Sequence, residues 1–242
     1  MILLYTLAPQ WGIGSISPAC LKLETWLRMT KLTYQTAIAT LEDFEIAPKG
    51  KLPFIRYGDR LFGDSTLIIA LLKQQESVDL DRDLTASERA ISVAFRRMVK
   101  ENLYWGGVYI RYCIEENWLA YRDTLRELVG QGLSDPEWEA IAQGIYDSVR
   151  SQLEGHGLGR HSDEEIVQII CEDIQALSDF LGDKPFFLGD RPTTLDATVY
   201  GYIANYIRPP YQSPMVDFAL ARSNLCQHCD RMAEQYFPEL LV

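Results

Sequence analysis

Apolar residues near the start of the chain come in short runs. Ile2–Leu7, Tyr34–Ile38 and Leu52–Tyr57 are each bounded by turn-forming residues, with Pro9 closing the first. Runs of this length and composition predict buried strands. Between the first two the period changes. Leu23, Trp26 and Leu27 fall at i, i+3 and i+4 within Pro18–Thr30, the spacing of one helix face. Pro18 suits the first helical position, where its missing N–H would be unpaired anyway, and Ser17 before it can cap the first turn. Gly58-Asp59 turns Leu52–Tyr57 back into Arg60–Phe62 as a hairpin, and Ser65–Gln75 follows as a second helix. The opening order is therefore β, α, β, hairpin, α.

Past Gln75 the strand pattern stops. Ser77–Ser87 is polar and carries Asp79, Asp81 and Asp83, which predicts a linker. Downstream, a Ser or Thr is repeatedly followed three residues later by a carboxylate, at Thr85/Glu88, Ser134/Glu137, Ser162/Glu165 and Thr193/Asp196. Each pair can satisfy two otherwise orphan amides and so marks a helix start. From Ser162 the apolar Ile166, Ile169, Ile170, Leu177 and Leu181 recur at helical spacing up to Gly182, a natural C-terminal residue. Pro209-Pro210 and Pro214 break the chain before a last helix with Leu225, Cys229, Met232 and Tyr236 on one face. The pattern predicts α/β plus all-α architecture, with a small mixed-sheet domain over residues 1–76 and an all-helical domain over 85–242.

Composition narrows the function classes. At 242 residues the chain falls between one and two typical domains. Its 47% hydrophobic and 24% charged content is that of a globular protein with a real core. The 23 Lys+Arg against 34 Asp+Glu give a net charge of -11, which repels phosphate backbones and excludes nucleic acid as an expected partner. The longest aliphatic run, Leu67–Leu72, is six residues, against about 20 for a bilayer span. No membrane span is expected. Met1–Leu4 lacks a basic leader and the chain turns polar by Gln10, so a cytoplasmic protein is expected. Five cysteines, an odd number spread through the chain, read as reduced thiols rather than a disulfide framework.

The helix after the first strand, together with Lys51-Leu52-Pro53-Phe54 opening the third, resembles the thioredoxin-like domain of the glutathione S-transferase superfamily. The resemblance implies an N-terminal thioredoxin-like domain joined to a C-terminal helical domain, with glutathione as co-substrate. It places the cysteinyl part of the tripeptide on Leu52 before a cis Pro53, with Lys51 beside it, and the γ-glutamyl end on Asp64 and Ser65. Physical reasoning agrees, because a peptide can add to a sheet edge and a helix N-terminus can receive a carboxylate. Ser17 of Ser17-Pro18-Ala19-Cys20 occupies the position of the thiol-activating residue. A hydroxyl there can donate to sulfur while the helix macrodipole favours thiolate. Tyr5, at the end of the first strand, is the runner-up, with burial in the sheet as the plainer reading; for Ser17 the plainer reading is a helix cap.

Tyr104-Trp105, Tyr109, Arg111 and Tyr112 lie on the first long helix of the second half, where the family builds its electrophile pocket, and Trp11 in the long Gln10–Gly14 loop can join the wall. Helix-helix packing is the alternative reading of this aromatic stripe. Cys20 lacks the second thiol of a redox pair, since Ser17 stands in the first position. Cys226-Gln227-His228-Cys229 lacks a second pair at suitable spacing, so no metal is expected. Gly189-Asp190-Arg191-Pro192-Thr193-Thr194-Leu195-Asp196 resembles the family's buried capping box, whose role is in folding. Lys49–Ile55, Gly159–Ser162 and Gly182–Phe186 resemble, more narrowly, the failed-axon-connections and metaxin-related branch. Two functions follow from these resemblances. One is conjugation of glutathione to small apolar electrophiles, a detoxifying transferase; the other is a non-catalytic protein-binding adaptor. A homodimer is the assembly the family implies.

Overall fold

In the computed structural model, which describes residues 1–241, a four-stranded sheet is followed by a helical body. The strands are β1 (Ile2–Thr6), β2 (Tyr34–Ile38), β3 (Phe54–Tyr57) and β4 (Arg60–Gly63), in the spatial order β2-β1-β3-β4. β1 pairs parallel with β2 and antiparallel with β3, with Tyr5 opposite both Ala37 and Phe54. The parallel pair needs a crossover, which α1 (Pro18–Thr30) supplies. This is the small mixed-sheet domain joined to a helical domain that the sequence predicts.

Helix α1 is buried along most of its length, because the sheet covers one face and a helix of the second half covers the other. The helices in order are α2 (Leu41–Ile46), α3 (Ser65–Gln75), α4 (Ala86–Met98), α5 (Tyr104–Tyr112), α6 (Glu115–Val129), α7 (Asp135–His156), α8 (Asp163–Leu181), α9 (Thr194–Ile207), α10 (Pro214–Leu220) and α11 (Ser223–Tyr236). A single π-helical turn, Val99–Leu103, joins α4 to α5 without a break, so the expected first long helix is present but locally underwound in its middle. Gly201 lets α9 lie directly on α1. A Cβ at this position would stand 2.8 Å from both the Lys22 nitrogen and the Pro18 oxygen, inside van der Waals contact.

All four capping boxes named from the sequence form, at Thr85, Ser134, Ser162 and Thr193. A fifth, Thr40/Asp43, starts α2, a six-residue helix with no buried residue and hence no apolar stripe to reveal it. Two differences from the sequence reading concern edges. β3 starts at Phe54, because Leu52 and Pro53 form a cis peptide ahead of the ladder. The polar stretch after Gln75 is also not loose: Asp81 is buried, accepts from the Lys73 ammonium at 2.6 Å and takes the Thr194 N–H at 2.9 Å, so it closes the first turn of α9. That partner lies 113 residues away, beyond the reach of local pattern.

Asp196 is fully buried and is the busiest acceptor in the helical body. It accepts from the Thr193 N–H (2.7 Å) and hydroxyl (2.9 Å), the Phe187 N–H (2.9 Å) and Nε2 of the buried His228 (3.1 Å). Asp196→Ala strands several buried donors at once, each costing about 1–3 kcal/mol. The expected result is a loss of roughly 3 kcal/mol or more in chemical denaturation, with a smaller loss for Asp196→Asn; a change no larger than an exposed-cap substitution would show that water replaces the carboxylate.

Candidate active site

The site begins with a loop that sequence alone leaves free. Between β1 and α1, Gln10 and Ile13 exchange N–H···O bonds of 3.1 and 2.9 Å, which closes the extra residues into a small ring. Below it, Ser15 Oγ accepts from the Ser17 N–H at 3.3 Å and from the Thr6 hydroxyl at 3.4 Å. The Ser15 carbonyl in turn accepts from Asn205 of α9 at 3.2 Å. Ser17 is thus held from both halves of the molecule. Its Oγ caps α1 by accepting the Cys20 N–H at 3.4 Å, which uses a lone pair and leaves the hydroxyl proton available to donate elsewhere. The cap and the chemical role are compatible.

Two cavities meet at Ser17. The smaller, about 250 Å³, brings together Ser17, Lys51, Leu52, Pro53, Asp64 and Ser65, all six of the catalytic and tripeptide-binding positions expected from the sequence apart from the runner-up Tyr5, with Lys49 and Lys100 added. The larger, about 440 Å³, is walled mainly by apolar groups of α5, α6 and α7, among them Val108, Tyr112, Tyr121, Leu125 and Ile145, with Arg111 and Phe44. Ser17, Lys51, Leu52, Tyr104 and Trp105 line both. Lys51 also spans the mouth, its Nζ donating to Gln152 Oε1 at 2.6 Å. A wider cleft of about 520 Å³ lies between the Asp79–Glu88 segment and Leu188–Thr193, but it holds no nucleophile and is crossed by the exposed Arg191–Asp83 pair.

Charges are concentrated at the smaller cavity. Asp64 caps α3 through the Thr66 and Leu67 amides at 2.8 and 3.2 Å and pairs with Lys100 at 2.9 Å. Partial burial pushes its carboxyl upward, but the Lys100 bond and the two amides outweigh this and hold it below the usual carboxylate range. Behind them, Lys22 of α1 is 2% exposed and its Nζ donates to Thr66 Oγ1 at 3.0 Å. Desolvation, with the nearby Lys100 and Arg96 charges, lowers its pKa to about 7. Cys20 behaves in the opposite sense: complete burial raises its thiol to about 11, so it stays protonated and is not a competing nucleophile.

Three expected positions are not brought into either cavity. Tyr5 stacks on Phe54 at 4.2 Å within a separate small cluster containing Ala47, and its hydroxyl is met by Arg56. Tyr109 faces away, beside Cys113, Arg150 and Asp163 in a polar hollow. Residues four, seven and eight positions after Tyr104 share its face, which are Val108, Arg111 and Tyr112. Position 109 is rotated off it. Trp11 has a positive φ of 52° and packs edge-on against Tyr211 at 5.6 Å, supporting the wall from outside. Residues that the sequence reading passed over are Lys22, Lys100, Phe44 and Tyr121. Only Tyr121 carried a signal, as an aromatic on the apolar face of α6. At the C-terminal end Cys229 is core and His228 serves Asp196, and among the described residues no group of three or more His, Cys, Asp or Glu could hold a metal.

Comparison with known proteins gives concordant matches. Residues 18–117 match a family model described as glutathione S-transferase N-terminal domain, and residues 170–232 one described as glutathione S-transferase, C-terminal domain. The isoprene-epoxide–glutathione S-transferase of Rhodococcus sp. (strain AD45) is 34% identical, over 98% of this chain and 99% of the relative. Failed axon connections of Drosophila melanogaster is 33% identical over 99% of this chain and 59% of the relative. Human metaxin-2 is 24% identical over 93% and 84%. Among solved structures, beta-etherase LigF of Sphingobium sp. strain SYK-6 superposes with a TM-score of 0.68 at 18% identity, covering 99% of this chain and 98% of that one.

The buried ammonium makes a prediction about pH. Its folded pKa of about 7 lies below the roughly 10.4 of an unfolded lysine. Between these values the unfolded chain binds a proton that the folded chain does not, so Lys22 makes stability rise with pH across that window, and its full cost is present below about pH 7. Lys22→Met removes the cost while losing the bond to Thr66. The difference in thermal midpoint, variant minus wild type, is expected to be most favourable near pH 6.5 and to decline steadily toward pH 10. A difference independent of pH would show that Lys22 is fully charged and paired in the fold.

Proposed function

The chain belongs to the glutathione S-transferase family, and we propose that it conjugates the glutathione thiolate to small apolar electrophiles. The observation that carries this reading is the position of Ser17, at the N-terminus of α1 on the wall shared by a charged peptide-sized cavity and a larger apolar one. A thiol placed at that junction faces a hydroxyl donor and the positive end of a helix. Both favour the thiolate, which is the attacking species.

The remaining positions fit the tripeptide chemically. Glutathione carries two carboxylates and one ammonium at neutral pH. Lys49, Lys51 and Lys100 supply positive charge around the cavity, Asp64 supplies negative charge, and Ser65 with the first amides of α3 offers donors for a carboxylate. Leu52, just ahead of β3, presents main-chain groups to which a peptide can pair in the manner of an added strand. In the reaction, sulfur donates a lone pair to an electron-poor carbon, a C–S bond forms, and a bond from that carbon breaks with its electron pair moving to the leaving atom, which departs to solvent or, in a ring, stays tethered to the product. The Rhodococcus relative is named for an epoxide, which is an electrophile of this kind.

The metaxin and failed-axon-connections relatives support a second reading, a protein-binding adaptor on the same fold. Retention on glutathione-agarose followed by turnover separates the two. If the transferase reading is right, the protein is retained and conjugates at least one member of an electrophile panel. Ser17→Ala should then lower kcat/KM by roughly 10- to 150-fold, the worth of one hydrogen bond to a charged sulfur. The pKa read from the pH profile should rise with it. Absence of both retention and turnover would leave the adaptor reading standing, whereas full activity in Ser17→Ala would move the thiol-activating role elsewhere.

A further inference from the structure

The larger cavity contains a charge that its surroundings do not balance. Arg111 is 5% exposed in the wall of an otherwise mostly apolar space. Its Nη2 donates to Asn205, at 2.9 Å to Oδ1 and 3.3 Å to the main-chain oxygen, and both acceptors are neutral. Nε has no partner, and no carboxylate among the described residues forms an ion pair with it. The rings of Tyr121 and Tyr211 stand 5.6 and 5.9 Å from the guanidinium carbon, and the Tyr211 hydroxyl is also without a partner.

A guanidinium cannot escape this cost by losing its proton. An isolated buried charge is among the most expensive features a fold can carry. Asn205 is held in place independently through its amide nitrogen, which donates to the Ser15 and Gly201 carbonyls, and its Oδ1 needs only a donor, not a full positive charge. Arg111 and Ser17 also line the same cavity. Helical side chains lean toward the N-terminus, so Arg111 reaches back along α5 toward Tyr104, with which it interacts electrostatically and which lines the junction at Ser17.

We propose that Arg111 receives an oxygen that becomes anionic during the reaction, and that the electrophiles selected by this pocket are oxiranes. The proposal rests on the transferase reading and extends it to the acceptor. Thiolate sulfur attacks a ring carbon, the C–S bond forms, and the ring C–O bond breaks with its electron pair moving to oxygen. That oxygen stays tethered one carbon beyond the attacked centre. The resulting alkoxide is held by the guanidinium, with burial keeping the hydroxyls of Tyr104 and Tyr112 protonated as donors beside it, until it takes a proton from water. An oxirane enters uncharged, so the interaction strengthens only as the ring opens. It therefore belongs to kcat rather than to KM.

The test compares 1,2-epoxybutane with 1-bromobutane as acceptors for glutathione. Bromide is a weak base and departs with little help, whereas an alkoxide needs a strong donor. Arg111→Met, which replaces the charge by an apolar chain of similar length, should lower kcat for the epoxide by about 100-fold or more while KM moves by less than about threefold. The epoxide-to-bromide ratio of kcat/KM should fall by at least about tenfold. Arg111→Lys should recover part of both, and it carries the same ratio test if the Met variant does not fold. Parallel losses on the two acceptors, or no loss on either, would overturn the role of Arg111 and leave the transferase reading intact. A wild-type protein that turns over neither acceptor would overturn the oxirane assignment, and failure on the whole electrophile panel would remove the transferase reading as well.

Discussion

The close approach of α9 to α1 at Gly201 sets the geometry of everything else. Only a residue without a Cβ allows α9 to lie against the Pro18 oxygen and the Lys22 nitrogen, and this brings the helical half directly behind the N-terminus of α1. From that contact Asn205 reaches the Ser15 carbonyl and fixes the loop that presents Ser17. Arg111 then packs against the same asparagine from the other side. One helix crossing therefore positions the Ser17 hydroxyl and the Arg111 guanidinium relative to each other. A site divided between two halves of a chain would otherwise depend on a flexible connection. Here the connection is tied down too, through Asp81 at the first turn of α9.

The two cavities use electrostatics differently. Around the smaller cavity Lys100 is opposed by Asp64, while Lys51 donates to the neutral Gln152. These groups are partly exposed, so water screens them and each contributes modestly. Lys22 and Arg111, by contrast, are buried cations without a carboxylate in contact. Lysine can relieve the cost by shedding a proton, and the lowered pKa of Lys22 expresses that. Arginine cannot. The same physical penalty thus produces a titrating group behind the smaller cavity and a permanent charge in the wall of the larger one.

Much of this was legible from local pattern. Capping boxes read as helix starts because the interaction spans only three residues, and all four formed. The grouping of Leu52, Pro53, Asp64 and Ser65 around one cavity was legible because an X-Pro step, an acidic cap and a serine lie at element ends, whose placement follows from backbone geometry. The acceptor pocket was read less well. Tyr109 was grouped with its aromatic neighbours by composition, but helical phase puts Val108 on the cavity face and turns Tyr109 toward Asp163. Trp11 and Tyr5 bury their rings against Tyr211 and Phe54, partners that no spacing rule supplies. α2 was silent because an exposed six-residue helix needs no apolar stripe, although its Phe44 reaches the cavity.

The choice between catalyst and adaptor can be framed by what each role would tolerate. A fold retained only for its outer surface is free to fill its interior, because replacing a buried unpaired charge by an apolar side chain of similar volume is commonly neutral or stabilising. Methionine at position 111 would fill the cavity wall, with Asn205 still held through its amide nitrogen and only its Oδ1 left without the Arg111 donor. Residue 22 could likewise be apolar without exposing anything, since its side chain has no access to solvent. Position 111 instead holds a permanent cation in the wall of the larger cavity, and position 22 a lysine that donates to Thr66 on the helix behind the smaller one. The cost at position 111 falls where the proposed reaction would recover it as transition-state stabilisation, which is an argument for the transferase reading over the adaptor.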